Sequence, residues 1–197
     1  MVIGITGGIG SGKSLFSKYF NNELDDSILI MTDDLAKEQQ KIGNISYNAI
    51  VHEFGVEILN EDKTINSKKL GDIVFNDSSK LEKLNEITHP NVINEIKNII
   101  SNNKNKDIII ESALLFDTTL YQLCDKTVLI DTTLEKRMYL LKTKRNYTED
   151  KIKKIIEKQN SYKDKVDCII LNDSNEEDLE KKANTFANCI KNTKGNK

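Results

Sequence analysis

Residues 2–14 read Val2-Ile3-Gly4-Ile5-Thr6-Gly7-Gly8-Ile9-Gly10-Ser11-Gly12-Lys13-Ser14. Val2 to Thr6 is a short, near-continuous apolar run, the pattern of a strand covered on both faces. Gly7 to Ser14 then satisfies G-x-x-x-x-G-K-[ST], and Lys13 opens a helical pattern reaching to about Phe20. A glycine-rich turn between strand and helix lets successive backbone N–H groups turn inward around an anion, and the helix N-terminus adds unpaired amides and a favourable dipole. In that setting Lys13 reaches β- and γ-phosphates and the Ser14 hydroxyl is a ligand for Mg²⁺. Gly8, Ile9, Gly10, Ser11, Gly12, Lys13, Ser14 and Leu15 are the candidate nucleotide cradle.

Working outward, four more short β-branched runs follow at Ile28 to Met31, Asp107 to Glu111, Thr127 to Asp131 and Cys168 to Leu171. Longer helical patterns separate them, which predicts an α/β fold with a five-stranded parallel sheet flanked by helices. The last helix is expected from about Glu176 to Ile190, with Asp173 or Ser174 as its N-cap. About 75 residues lie between the second and third runs, far more than a crossover needs, so a mainly helical insertion is expected there. Its helices fall at Leu35 to Gln40, Tyr47 to Phe54, Lys68 to Phe75 and Leu81 to Ile100, the last interrupted at Pro90. A second insertion, residues 134–165, is helical, rich in charge and reads as a lid. Its Lys-rich stretch, Lys151 to Lys165, is a solvated helix face.

The chain has 197 residues, 38% hydrophobic and 30% charged, which excludes disorder of the whole and two large independent domains. A net charge of −2 provides no chain-wide positive field for nucleic acid. No apolar run approaches the ~20 residues of a membrane span, and Met1 to Ile5 lacks the basic flank of an export signal. A cytoplasmic protein without membrane partner is expected. Cys124, Cys168 and Cys189 are odd in number and lack a C-x-x-C pairing, so idle thiols are expected rather than disulfides or a zinc site. Asn occurs 22 times and Arg only twice, at Arg137 and Arg145. Both arginines fall in the lid, and a planar five-donor guanidinium is not replaceable by Lys where bidentate phosphate contact is needed.

A phosphate-binding loop alone suits a kinase, a switch or a motor. Asn105-Lys106-Asp107 precedes its strand and lacks the spacing of a guanine-reading N-K-x-D, which weakens the switch reading. Asp33 follows the second strand, and in open α/β sheets ligands gather outside the carboxyl ends of strands. It has two readings: a carboxylate that takes or orients the proton of an acceptor hydroxyl, or, with Asp34, a helix cap before Leu35. Glu111 likewise is either a carboxylate that orients Mg²⁺ through water or a buried, hydrogen-bonded acid. His89 before Pro90 reads as a structural helix-break residue, and His52 as a helix-surface residue.

These residues resemble the dephospho-coenzyme A kinase family. Ile3 to Ser14 is similar to that family's own version of the loop. Thr32-Asp33-Asp34-Leu35-Ala36-Lys37, Glu53-Phe54-Gly55 with Ile58-Leu59, Leu70-Gly71 with Val74-Phe75, Thr88-His89-Pro90 and Glu111 to Asp117 continue the resemblance, as do Arg145, Gln159, Asp167 and Asn172. Met31 stands where the family has Asp. Lys37, Ser67 and Leu141 stand where Arg is usual, and Ala113 where Pro is usual. The resemblance implies a phosphate-binding-loop kinase core, an acceptor-binding insertion at residues 33–105 and a lid at 134–165. It further implies ATP with Mg²⁺, and transfer to the ribose 3′-hydroxyl of dephospho-coenzyme A. In that reading Asp33 activates the hydroxyl, Lys13 and Arg145 stabilise phosphate, and Asn172 lies near the nucleotide base. A kinase of another small metabolite and a nucleotide-dependent switch are the alternatives.

Overall fold

The first apolar run becomes β1 (Val2–Thr6), and the glycine-rich turn after it leads into α1 (Lys13–Glu23). There follow β2 (Ser27–Met31), α2 (Thr32–Gln39), α3 (Ile45–Phe54), α4 (Ser67–Asn76) and α5 (Ser78–Asn102). The chain returns through β3 (Asp107–Glu111), β4 (Lys126–Asp131), α6 (Leu134–Arg145), α7 (Glu149–Glu157), β5 (Cys168–Leu171) and α8 (Glu176–Gly195). Short 3₁₀ turns occupy Val56–Ile58 and Thr119–Leu123. This computed structural model describes residues 1–145, 147–157 and 162–195.

The five strands form one sheet in the order β2-β3-β1-β4-β5, every pairing parallel. All five residues of β3 are buried, as parallel strands covered on both faces must be. β1 is central and leads across β3 to β2, while β4 leads the other way to β5. A crevice therefore opens outside the carboxyl ends of β1 and β4. The phosphate loop sits at that point. Beneath it, α1 and α8 close one face of the sheet. Phe16, Phe20, Leu179, Ala183, Ala187 and Ile190 pack with Ile3, Ile5, Val128 and Ile130, and the Phe186 ring lies tilted against Phe20 with centroids 5.0 Å apart. Burying side chains of this size contributes about 1.5–3 kcal/mol each.

Chain packing divides the molecule into two units, Met1–Met31 with Asn103–Lys197, and Thr32–Asn102. The second is helical around Ile50, Phe54, Ile58 and Leu70. Its α2, α3 and α5 are stitched by a polar chain in which Asn91 donates to Ser46 Oγ at 3.1 Å and Ser46 to Gln39 Oε1 at 3.3 Å. Among the described residues no helix is long and apolar enough to cross a membrane.

Two expectations need correction. The helix expected to break at Pro90 runs unbroken as α5, with Thr88, His89 and Pro90 all inside it. Proline removes one backbone donor and crowds the carbonyl four residues earlier. Here the Asn91 amide donates to the Ile87 carbonyl at 2.9 Å and the Thr88 hydroxyl to Leu84 at 2.8 Å, so side chains satisfy carbonyls along the disturbed stretch. The cap of α8 is neither Asp173 nor Ser174 but Asn175, whose Oδ1 accepts from Asp178 N at 2.9 Å. Asp173 is instead held by Lys182 at 2.9 Å.

Candidate active site

The loop between β1 and α1 turns on two residues in the left-handed region, Gly10 (φ +77°) and Gly12 (φ +91°). A Cβ on Gly12 would lie 2.3 Å from Asn172 Nδ2, so the position demands glycine for close approach as well as for its backbone angles. Ser11 N donates to Gly8 O at 3.1 Å, which closes the turn, and Leu15 N and Phe16 N return to Gly12 O at 3.1 and 3.0 Å. Among the described residues no side chain caps α1. Its first amides therefore face a mouth with the positive end of the dipole behind them, the arrangement that holds phosphate. A cavity of about 330 Å³ opens there, lined by Ile9, Gly10, Lys13, Ser14, Leu15 and Glu176 among others.

Two cations stand beside the loop, each matched to an acid at a strand end. Lys13 Nζ lies 3.6 Å from Glu111 Oε1 at the end of β3, with both side chains largely buried. Arg137, in the first turns of α6, lies 3.7 Å from Asp131 Oδ1 at the end of β4. The same Asp131 binds Lys163 at 2.7 Å, so Arg137 of α6 and Lys163, shortly before β5, meet on one carboxylate. A Cβ on Gly10 would lie 3.2 Å from Arg137 Cγ and 3.1 Å from Leu141 Cγ, which places both side chains against the loop. Arg137 Nε is buried with no acceptor among the described residues, a donor that suits an oxyanion.

Asn172, at the end of β5, is buried and reaches back to the loop, donating from Nδ2 to the Ser11 carbonyl at 2.8 Å. Its Oδ1 accepts from Lys136 Nζ at 2.5 Å, and Lys136 also donates to the Ser174 carbonyl. Burial, more than the neighbouring charges, holds the Lys136 ammonium below its ordinary value.

Ile9, Gly10, Gly12, Lys13, Ser14, Leu15 and Asn172 line one cavity, Asn172 is bonded to the Ser11 carbonyl, and Ser14 stands half-exposed in the first turn of α1. Asp33 belongs to the helical unit, exposed in the first turn of α2, and makes no hydrogen bond or ion pair with another described residue. α2 begins at Thr32, directly after β2, so Asp33 and Asp34 lie inside the helix rather than capping it; Asp34 pairs with Lys37 at 3.1 Å. Arg145 closes α6, and its side chain, like Gln159, lies outside the described residues. Glu111 is buried and pairs with Lys13 at 3.6 Å. Lys136, Arg137, Asp131 and Lys163 were not singled out by motif. The available signal was positional, a charged residue closing an apolar strand next to the loop.

A model of the dephospho-CoA kinase family matches residues 1–178. A dephospho-CoA kinase of Lactobacillus johnsonii is 38% identical over 187 residues, covering 91% of this chain and 93% of that protein. Among solved structures, a dephospho-CoA kinase from Campylobacter jejuni superposes with a TM-score of 0.64 at 24% identity, covering 96% of each chain. A shikimate kinase from Bacteroides thetaiotaomicron reaches 0.58 at 16% identity over 97% of this chain and 98% of that one, which marks the same kinase fold. A glycine loop with a buried lysine at the N-terminus of α1 and an arginine of α6 beside it, in a chain matched by the family model over nine-tenths of its length, mean that this protein belongs to the dephospho-CoA kinase family.

Proposed function

We propose that the chain transfers the γ-phosphoryl group of ATP to the ribose 3′-hydroxyl of dephospho-coenzyme A, in the cytoplasm and with Mg²⁺. The observation that carries this reading is the uncapped N-terminus of α1 with Lys13 at its mouth, in a member of this family. Phosphoryl transfer asks little covalent chemistry of a protein and much positioning and charge stabilisation. The loop amides from Gly8 to Leu15 bind the phosphate chain, and Lys13 turns from Glu111 to the β/γ bridge. Arg145 and Arg137 supply forked donors from the lid, residues 134–165. Asp33 accepts the proton of the attacking hydroxyl as the new P–O bond forms and the bond to ADP breaks. The segment 33–105 binds the acceptor, and Asn172 borders the nucleotide cavity.

The loop fits the metal as well as the nucleotide, because a hard cation takes oxygen ligands and the Ser14 hydroxyl is presented half-exposed beside the phosphate amides. When bound, Mg²⁺ neutralises charge on the phosphate oxygens. The test is product analysis by mass spectrometry after mixing the protein with ATP, Mg²⁺ and dephospho-coenzyme A, with shikimate and nucleoside monophosphates as rival acceptors. Coenzyme A and ADP in equal amounts are expected, and none after chelation of the metal. Transfer to another acceptor, or ATP binding with no transfer at all, overturns the reading in favour of a different kinase or a switch.

A further inference from the structure

The Asn172 carboxamide has both of its ends engaged by protein. Nδ2 donates to the Ser11 carbonyl at 2.8 Å and Oδ1 accepts from Lys136 Nζ at 2.5 Å. Its backbone is fixed too, with Asn172 N donating to Asp131 O at 2.7 Å and Thr132 Oγ1 to Asn172 O at 2.6 Å. We infer that Asn172 and Lys136 are positioning residues for the phosphate loop: they hold the Ser11–Gly12 peptide plane so that its N–H faces the nucleotide. This deepens the proposed function and rests on its reading that the loop binds ATP.

The physical argument is peptide geometry. In a trans peptide the carbonyl and the following N–H point in opposite directions from one rigid plane. An oxygen held outward by Asn172 therefore turns the Gly12 N–H to the other side of the plane, toward the mouth of the loop. Gly12, on one side of this plane, and Gly10, one residue before Ser11, both adopt left-handed conformations that glycine enters without steric cost, so an external brace has much to contribute there. A lysine ammonium only donates, so Lys136 requires the amide oxygen on its own side and leaves the NH₂ for Ser11. Lys136 lies in the first turn of α6 and is also tied to the Ser174 carbonyl before α8. The brace thus runs from the lid helix through β5 to the loop, inside one unit of the chain. The 2.3 Å between Nδ2 and a Cβ built on Gly12 shows that the brace operates only against glycine.

The test is calorimetric binding of ATP and of dephospho-coenzyme A to the full-length protein, which needs no turnover. Asn172→Asp keeps the shape but replaces the donor by an acceptor facing the Ser11 carbonyl, so ATP affinity falls about tenfold or more, the scale of one lost buried hydrogen bond. Affinity for dephospho-coenzyme A stays within about twofold. Lys136→Met weakens ATP by about threefold or more and Lys136→Arg restores most of it, because only the donor is needed. In an Asn172→Ala background Lys136→Met adds nothing, since the lysine acts through the asparagine. An unchanged ATP affinity in Asn172→Asp overturns the inference. Equal loss for both ligands does so as well, by showing general damage, and so does a full Lys136→Met effect without Asn172, by showing direct contact with the nucleotide. If the wild-type protein binds ATP yet transfers nothing to dephospho-coenzyme A, the proposed function fails while the brace stands or falls on the affinities.

Discussion

Lys13 and Glu111 are 3.6 Å apart, beyond hydrogen-bond range, so the lysine is held by charge rather than by a directional bond and can turn without breaking one. Similar reasoning separates Asp33 from Asp34. Asp34 is tied to Lys37 in an exposed i,i+3 pair, an interaction worth at most about 1 kcal/mol. Asp33 has no competing cation among the described residues. Asp33→Asn is expected to leave ATP binding intact and lower kcat by roughly 10²-fold, the effect of losing a positioned proton acceptor, while Asp34→Asn stays near wild type. The reverse pattern in steady-state kinetics would move the active carboxylate one residue along. The arginines call for a revised expectation. From sequence, Arg145→Lys should cost much of kcat and Arg137→Lys little, since Arg145 alone matches the family pattern. The structure puts Arg137 beside Gly10 with a buried Nε that has no acceptor among the described residues, and lysine has neither the fork nor that nitrogen. Arg137→Lys is therefore expected to lower kcat/KM by about tenfold as well, and a silent result in the same assay would reduce Arg137 to a partner of Asp131.

At the scale of elements, one stitch between strands is sensitive to pH. Asp167, just before β5, accepts from the hydroxyl and the N–H of Thr127 in β4, both at 2.8 Å. Those bonds, the hydroxyl first, hold its carboxyl below the usual value. A depressed folded value means that stability is complete above the unfolded carboxylate value, about 3.9, and is lost as pH falls through the folded one. Thermal melts are expected to be flat from neutrality to about pH 5 and to fall below pH 4, with a shallower acid slope in Asp167→Asn. An unaltered slope would show that other carboxylates carry the acid transition. The strands themselves were legible because each is a short β-branched run, and the loop because its spacing admits few other uses. The ends of elements were less so, since capping is a competition. Asp173 was an expected cap of α8, but Lys182 claims its carboxylate and Asn175 caps the helix instead. Pro90 misled because the donors that relieve its helix, Thr88 and Asn91, are ordinary residues in sequence. Arg137 stood out by scarcity, but its place beside the loop did not, because its neighbours Gly10 and Asp131 are distant or featureless in the chain and meet only when β1 and β4 lie side by side.

For the whole molecule, net charge says little about a polyanionic substrate: the chain carries −2, and what matters is local, with Lys13 in the first turn of α1 and Arg137 against Gly10. A ligand that binds only the folded state stabilises it by about 2.7 kcal/mol at one hundred times its Kd. For a chain of this size that corresponds to a rise in Tm of about 5–10 °C. From sequence, Lys13→Ala is expected to abolish transfer and leave the fold intact, with Lys13 on the exposed mouth of the loop. Lys13 is in fact only 14% exposed and serves as the cation of Glu111, which is buried. Removing the cation from a buried acid destabilises, so Lys13→Ala is expected to melt below wild type without ATP. Pairing it with Glu111→Gln removes the charge that suffers, and the double variant should regain much of the lost Tm. Neither variant should show the rise with ATP and Mg²⁺, because Lys13 belongs to the binding site and Glu111 does not replace it. A double variant that is stable and still shifts by the full amount would mean that ATP is held elsewhere than at the loop of Gly8 to Leu15.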